Sequence, residues 1–234
     1  KGHQRGAIRH VANRAYALCP EILNDARTAP WAIDINPMES GSTVELRPRL
    51  SPDPRLYFRQ KDVPAASHPP LAACMAWLAG KAEVVWDPFC GSGLEMIECG
   101  LRGGVRSLFG TDRSAEAIAV AQANCAAAKL NIPSRFVCCD FRDFDTIEGL
   151  GADSVDLIIT NPPMGKRVPI HNLRGLIGDL FVAAATTLRP GGKLLFANPL
   201  SEESSHPSLK LQFQQAVDFG GFECSLEMYV KVTR

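Results

Sequence analysis

Between Val84 and Glu98 the chain reads VVWDPFCGSGLEMIE: a short apolar run ends in an acid, crosses two closely spaced glycines and opens at once into helix-forming residues. Such a stretch has few structural solutions. The apolar run is a strand, the glycine pair a tight loop and the remainder a helix, because the periodicity changes type across the glycines. Glycine at 91 and 93 lets the backbone pass close beneath a ligand with no Cβ in the way, and the first free N–H groups of the helix face the same space. The unit suits a nucleotide-like ligand. A dinucleotide fingerprint needs a third glycine where Met96 stands, and a P-loop needs a following Gly-Lys-Ser/Thr, which is missing.

The same grammar recurs downstream. Residues 107–112 (SLFGTD) and 135–140 (RFVCCD) are strand-like runs that end in Asp112 and Asp140, with helix-length spacers between them. The spacer 115–129 is alanine-rich, with Ile118, Val120 and Ala121 on its inner face. Three strand-end acids at such spacing predict an α/β fold, a doubly wound sheet with helices on both faces and a ligand across the carboxyl ends. Asp112 lies nineteen residues after Gly93, where a carboxylate can accept the two hydroxyls of a ribose, while Ser114 is free to cap the next helix.

Asp87-Pro88-Phe89-Cys90-Gly91-Ser92-Gly93 resembles the first motif of class I S-adenosylmethionine-dependent methyltransferases in its D-P-F-C-G-S-G-T form, with Leu94 in place of the threonine. The resemblance implies S-adenosyl-L-methionine as cofactor, held by Asp87, Phe89, Cys90, Gly91 and Gly93, with Asn161 further along the chain as another candidate contact. It places Asp112 and Arg113 at the ribose, Asp140 at the adenine amino group and Phe141 beside the ring. The segment 65–70 (AASHPP) precedes a helix over 71–78 that Ser67 or His68 can cap. In the family this segment lies against the methionine end of the cofactor, which makes His68 a candidate contact.

A fourth strand, 155–160, delivers Asn161-Pro162-Pro163-Met164. The tetrad resembles the (D/N)-P-P-(Y/F) motif of methyltransferases that act on planar amines, with Met164 where an aromatic usually stacks on the target ring. An amine conjugated to a ring is a poor nucleophile. Accepting its hydrogens on the Asn161 side-chain oxygen and the Pro162 carbonyl would turn its lone pair toward a methyl donor, and consecutive prolines stiffen the loop. Gly165-Lys166-Arg167 follows. The run N-P-P-x-G-K-R resembles the THUMP-associated RNA methyltransferases, which methylate the 2-amino group of guanine in tRNA or rRNA; Lys166 and Arg167 would then hold a phosphate beside the flipped base. This resemblance covers roughly residues 31 to 200, and no THUMP domain is recognisable. It implies an RNA partner and leaves room for an activating protein subunit or a missing RNA-binding domain.

With 46% apolar residues, the 234-residue chain can bury a core for one α/β domain plus an extension. We expect residues 1–64 to form an N-terminal helix and β-hairpin extension and 65–234 the methyltransferase domain. Residues 6–18 have helical spacing, and 31–35 and 43–49 alternate as a hairpin. Arg47, Arg49, Arg55, Arg59 and Lys61 surround Tyr57 and Phe58, which reads either as a nucleic-acid surface, with Arg47 and Arg59 as substrate contacts, or as a solvated strand face beside core aromatics. Formal net charge is zero, so an RNA surface must be a local patch. Eight scattered cysteines lack metal-ligand or disulfide spacing and suit a reducing compartment such as the cytoplasm; no metal is expected. No apolar run reaches the length of a membrane span. The chain starts at Lys1, consistent with a fragment of a longer protein.

Toward the end, a helix is expected over 173–188, a tight turn over 189–193, a fifth strand over 194–198, a helix near 208–216 and a terminal strand over 222–232, which leaves the sheet one strand short. Other acceptors remain open at this point: adenine 6-amino in RNA or DNA, a protein glutamine, or no acceptor at all in a non-catalytic RNA-binding or scaffold subunit.

Overall fold

The computed structural model describes residues 2–21, 29, 31–38, 40–49, 56–64, 66–164, 172–200, 206–218 and 223–232. They fall into two compact units, Lys1–Tyr57 and Phe58–Arg234.

The first unit holds helix α1 (Gly2–Leu18) and an antiparallel hairpin of β1 (Trp31–Met38) and β2 (Gly41–Pro48). The expected helix and hairpin are both present, each longer than its sequence pattern. Register sets Ile33 opposite Leu46 and Ile35 opposite Val44, so the four apolar side chains share one face, as period-2 alternation demands. All four are exposed.

The second unit is a seven-stranded sheet. Its strands are β3 (Val84–Asp87), β4 (Ser107–Asp112), β5 (Ser134–Cys138), β6 (Val155–Thr160), β7 (Leu188–Asn198), β8 (Leu209–Asp218) and β9 (Glu223–Lys231). The spatial order is β5-β4-β3-β6-β7-β9-β8, with the first five strands parallel and β9 antiparallel to both its neighbours. Helices α2 (Pro69–Ala79), α3 (Leu94–Leu101), α4 (Ala115–Ala127) and α5 (Leu173–Thr187) connect or cover the strands. The chain winds outward from β3 to β5, then returns to the other side of β3 as β6. The crevice at the carboxyl ends of β3 and β6 is therefore the switch point, where ligands of open α/β sheets bind.

Alternation along the central strands builds two cores. Trp86, Ile158, Leu194 and Phe196 face one side with Ile177, Leu180 and Phe181 of α5. Val85, Leu157, Ile159 and Leu195 face the other with Met75, Met96 and Ile118 from α2, α3 and α4. Both faces of the central strands β3 and β6 are buried, which is why they read as continuous apolar runs. Val182 of α5 points outward.

Three expectations are corrected. The segment near 208–216 is not a helix but β8, with Leu211, Phe213 and Val217 packed against the core and glutamines and an alanine between them. The alternation was obscured by glutamines and alanine, which have no strand preference of their own. The sheet accordingly has both final strands and is not one short. The turn over 189–193 is a bulged start to β7: the three residues of β6 from Val155 to Leu157 oppose the six of β7 from Leu188 to Lys193, and Gly191 takes φ +80° to allow it.

Candidate active site

Strand β3 carries Asp87 into the switch-point crevice. The carboxylate is fully buried; its Oδ1 accepts from the Phe89 amide at 3.0 Å and the Thr160 hydroxyl at 2.6 Å. Its Oδ2 has no hydrogen-bond partner among the described residues. Burial first, and the neighbouring Glu95 charge second, push its pKa well above the ordinary carboxylate value. The following loop is pinned to β4: the Cys90 amide donates to the Thr111 carbonyl at 2.9 Å, and the Thr111 hydroxyl donates to the Pro88 carbonyl at 3.1 Å. Gly91 and Gly93 adopt φ +50° and +80°, and a Cβ on Gly93 would sit 3.3 Å from that of Ala121. Glycine is required there by both backbone and packing. The Cys90 thiol is buried and its pKa raised by that burial, so it is a packing group and not a nucleophile.

At the end of β4, Asp112 faces back onto the loop. Its Oδ2 accepts from the Gly91 amide at 3.0 Å and its Oδ1 from the Ser114 amide at 2.9 Å, so the acid and the glycine loop form one wall. Ser114 caps α4 by accepting from the Ala117 amide at 3.2 Å. Arg113 is exposed, with its Nε 3.9 Å from Asp140. Asp140 follows β5 and caps a short 3-10 turn over Phe141–Thr146; Arg142 closes on it at 2.9 Å. Phe141 is buried, its ring 4.8 Å from that of Phe89. All of these cofactor candidates lie along the carboxyl ends of three adjacent strands.

Strand β6 delivers the tetrad. Pro162 is buried, while Asn161, Pro163 and Met164 are half-buried. The Asn161 Nδ2 group donates to the Ser67 hydroxyl oxygen at 2.9 Å, and its Oδ1 is buried with no partner among the described residues. Leaving a buried acceptor unpaired costs about 1–3 kcal/mol, so this oxygen is an unmet acceptor held at the switch point. Ser67 in turn donates to Glu95, a buried acid in the first turn of α3 whose pKa is raised by burial. Ser67 is thus not the cap of α2. His68 stands at that position with no side-chain capping bond and is exposed, and Pro69 and Pro70 occupy the first helical positions.

Three contributors were not legible as site residues. Ser67 meets Asn161 across 94 residues of sequence, and Glu95 looks like an ordinary first-turn acid. Asn124, fully buried in the last turn of α4, accepts from the amides of Gln60 and Lys61 and donates to the carbonyls of Lys61 and Ser92, which ties residues 60–61 to the glycine loop. An asparagine within a helix was the only signal. The basic candidates divide differently. Arg59 is paired with Asp62, Arg47 is paired with Asp34 in the first unit, and Lys166 and Arg167 lie outside the described residues.

The residues present fit a nucleoside-bearing, cationic cofactor: a glycine cradle, an acid at the ribose-binding place of such sheets, and a buried carboxylate oxygen without a donor. Residues 57–205, more than half of the chain, match the family described as RMKL-like, methyltransferase domain. The chain belongs to that family. Relatives of this RMKL-like methyltransferase domain include the ribosomal RNA large subunit methyltransferase K/L of Syntrophotalea carbinolica, 30% identical over 64% of this chain and 21% of its own length. The tRNA (guanine(10)-N2)-dimethyltransferase of Methanothermobacter thermautotrophicus is 28% identical over 73% of this chain and 51% of its own. The chain therefore spans between about a fifth and a half of these curated relatives. Among solved structures, TrmN from Thermus thermophilus shares the fold with a TM-score of 0.65 at 21% identity, over 96% of this chain and 66% of that one. An RNA methyltransferase from Salinibacter ruber, solved with S-adenosyl-L-homocysteine, has a TM-score of 0.54 at 14% identity over 73% of this chain and 95% of that one.

Proposed function

We propose that this RMKL-like domain transfers a methyl group from S-adenosylmethionine to an exocyclic amine of RNA, the 2-amino group of guanine in ribosomal or transfer RNA. The observation that carries the reading is the Asn161 side-chain oxygen, buried and unpartnered at the end of β6 while its amide nitrogen is held by Ser67. Such an oxygen accepts an N–H and cannot take or give a proton, which suits an amine that must be oriented before it can react. Asn161 and the Pro162 carbonyl bind the two amine hydrogens, and Pro163 stiffens the loop that presents them. Met164 lays a polarizable thioether on the base, a softer contact than an aromatic ring. Asp112 and Arg113 bind the ribose, Asp140 the adenine amino group, and Asp87 the cofactor's positive end. Phe89, Cys90, Gly91, Gly93 and Phe141 shape the cradle, with His68 at the methionine side. S-adenosylmethionine, when bound, supplies an activated methyl on a sulfonium. Lys166, Arg167, Arg47 and Arg59 are the candidate phosphate contacts.

The acceptor is favoured by the relatives, whose names specify ribosomal RNA and a guanine amino nitrogen of tRNA. The test is incubation of the full chain with labelled S-adenosylmethionine and unmodified RNA transcripts, followed by nucleoside mass spectrometry. N2-methylguanosine is the expected product. N6-methyladenosine would move the acceptor to adenine, and methylated protein glutamine without methylated RNA would overturn the reading.

A further inference from the structure

We propose that Ser67 is a positioning residue that sets which end of the Asn161 amide faces the acceptor, with Glu95 as its anchor. The inference rests on Asn161 being the group that receives the amine. An asparagine amide is nearly symmetric in shape, and its oxygen and nitrogen can exchange places by a half-turn of the side chain. Only the arrangement with oxygen outward can accept an N–H from a substrate; the reverse presents two donors to a group that itself donates. The hydroxyl of Ser67 breaks that symmetry. It has one hydrogen, and while Glu95 is ionised that hydrogen is committed to its carboxylate, so toward Asn161 it offers only a lone pair. The lone pair selects the Asn161 nitrogen at 2.9 Å and leaves Oδ1 as the buried acceptor without a partner. Three elements supply the chain of bonds: the segment before α2, the first turn of α3 and the end of β6. Ser67 and Glu95 are both buried, so water does not compete for either bond. Remove the hydroxyl, and nothing among the described residues prefers one orientation of the amide.

The test has two arms on the full chain. In the first, the side-chain amide signals of 15N-labelled, cofactor-free protein are recorded, with those of Asn161 identified by their loss in Asn161→Asp. Slow exchange of one Asn161 amide hydrogen with water is expected in the native protein and in Ser67→Thr, and exchange at least about ten-fold faster in Ser67→Ala. Unchanged exchange in Ser67→Ala overturns the proposal. In the second arm, methyl transfer to unmodified RNA transcripts is measured. Ser67→Ala should lower kcat by roughly 10- to 100-fold with the KM for RNA and the Kd for S-adenosylmethionine within about two-fold of native, and Ser67→Thr should restore kcat. Faster exchange with kcat unchanged would overturn the positioning role, as would an equal loss of kcat and cofactor affinity. If the native chain methylates no RNA, the reading of the acceptor fails, and the amide arm still decides whether Ser67 holds Asn161.

Discussion

Replacing Asp87 by asparagine gives an outcome whose sign and size both follow from burial. The carboxyl is fully buried, two donors reach its Oδ1, and none among the described residues reaches its Oδ2. Burial and the Glu95 charge raise its pKa well above the ordinary value of 3.8. In the folded state the carboxyl therefore keeps a proton that the unfolded chain releases. Its contribution to stability is fully present below the ordinary value and is lost as pH rises through the folded one, at up to about 1.4 kcal/mol per pH unit. For a chain of this size that corresponds to about 3–6 °C of Tm per unit at most. Asparagine has the same shape, keeps an oxygen for Phe89 and Thr160, and does not titrate. Glu95 is present in both proteins, and relieving it of the Asp87 charge moves its own titration in the same direction. Differential scanning fluorimetry of the cofactor-free proteins from about pH 5 to about pH 8 should show Asp87→Asn gaining on the native protein by up to about 3–6 °C per unit until the folded pKa is passed. A difference that stays flat across the range would refute the reasoning, because the carboxyl would then titrate as it does in water.

Asn124→Ala removes the clamp that joins residues 60–61 to the glycine loop and takes the side-chain donor from the carbonyl of buried Ser92, so urea denaturation should show a loss of about 1–3 kcal/mol. Burial holds the Cys99 thiol up at about 12 and raises that of Cys90 well above its usual value, whereas Cys74 and Cys138 are exposed. Alkylation of the folded protein near pH 8, mapped by peptide mass spectrometry, should label Cys74 and Cys138 at least ~100-fold faster than Cys90 and Cys99.

The central sheet was legible because its chemistry is local. Each of Asp87, Asp112 and Asp140 ends an apolar run and is followed by helical sequence, and the strands and helices lie where that grammar puts them. Asn161 was legible because the prolines beside it leave few other uses for the segment. What was missed depends on partners distant in sequence. Ser67 looked like a helix cap because serine just ahead of a helical run commonly is one, and only the fold brings Glu95 and Asn161 to its hydroxyl. Asn124 was silent for the same reason. Strand β8 was misread because Gln212, Gln214 and Gln215 carry little conformational preference, and its identity comes from pairing with β9. The bulge in β7 could not be told from a turn, since Pro190, Gly191 and Gly192 suit either.

The central claim is that Asn161 orients the acceptor amine and does not hold the cofactor. The direct measurement compares Asn161→Ala with the native chain for two quantities in one preparation: the Kd for S-adenosylmethionine by calorimetry and the rate of methyl transfer to RNA under single-turnover conditions. The account predicts a transfer rate lower by at least about 100-fold with Kd within about two-fold of native. Transfer that survives the substitution, or parallel loss of transfer and cofactor binding, would contradict it.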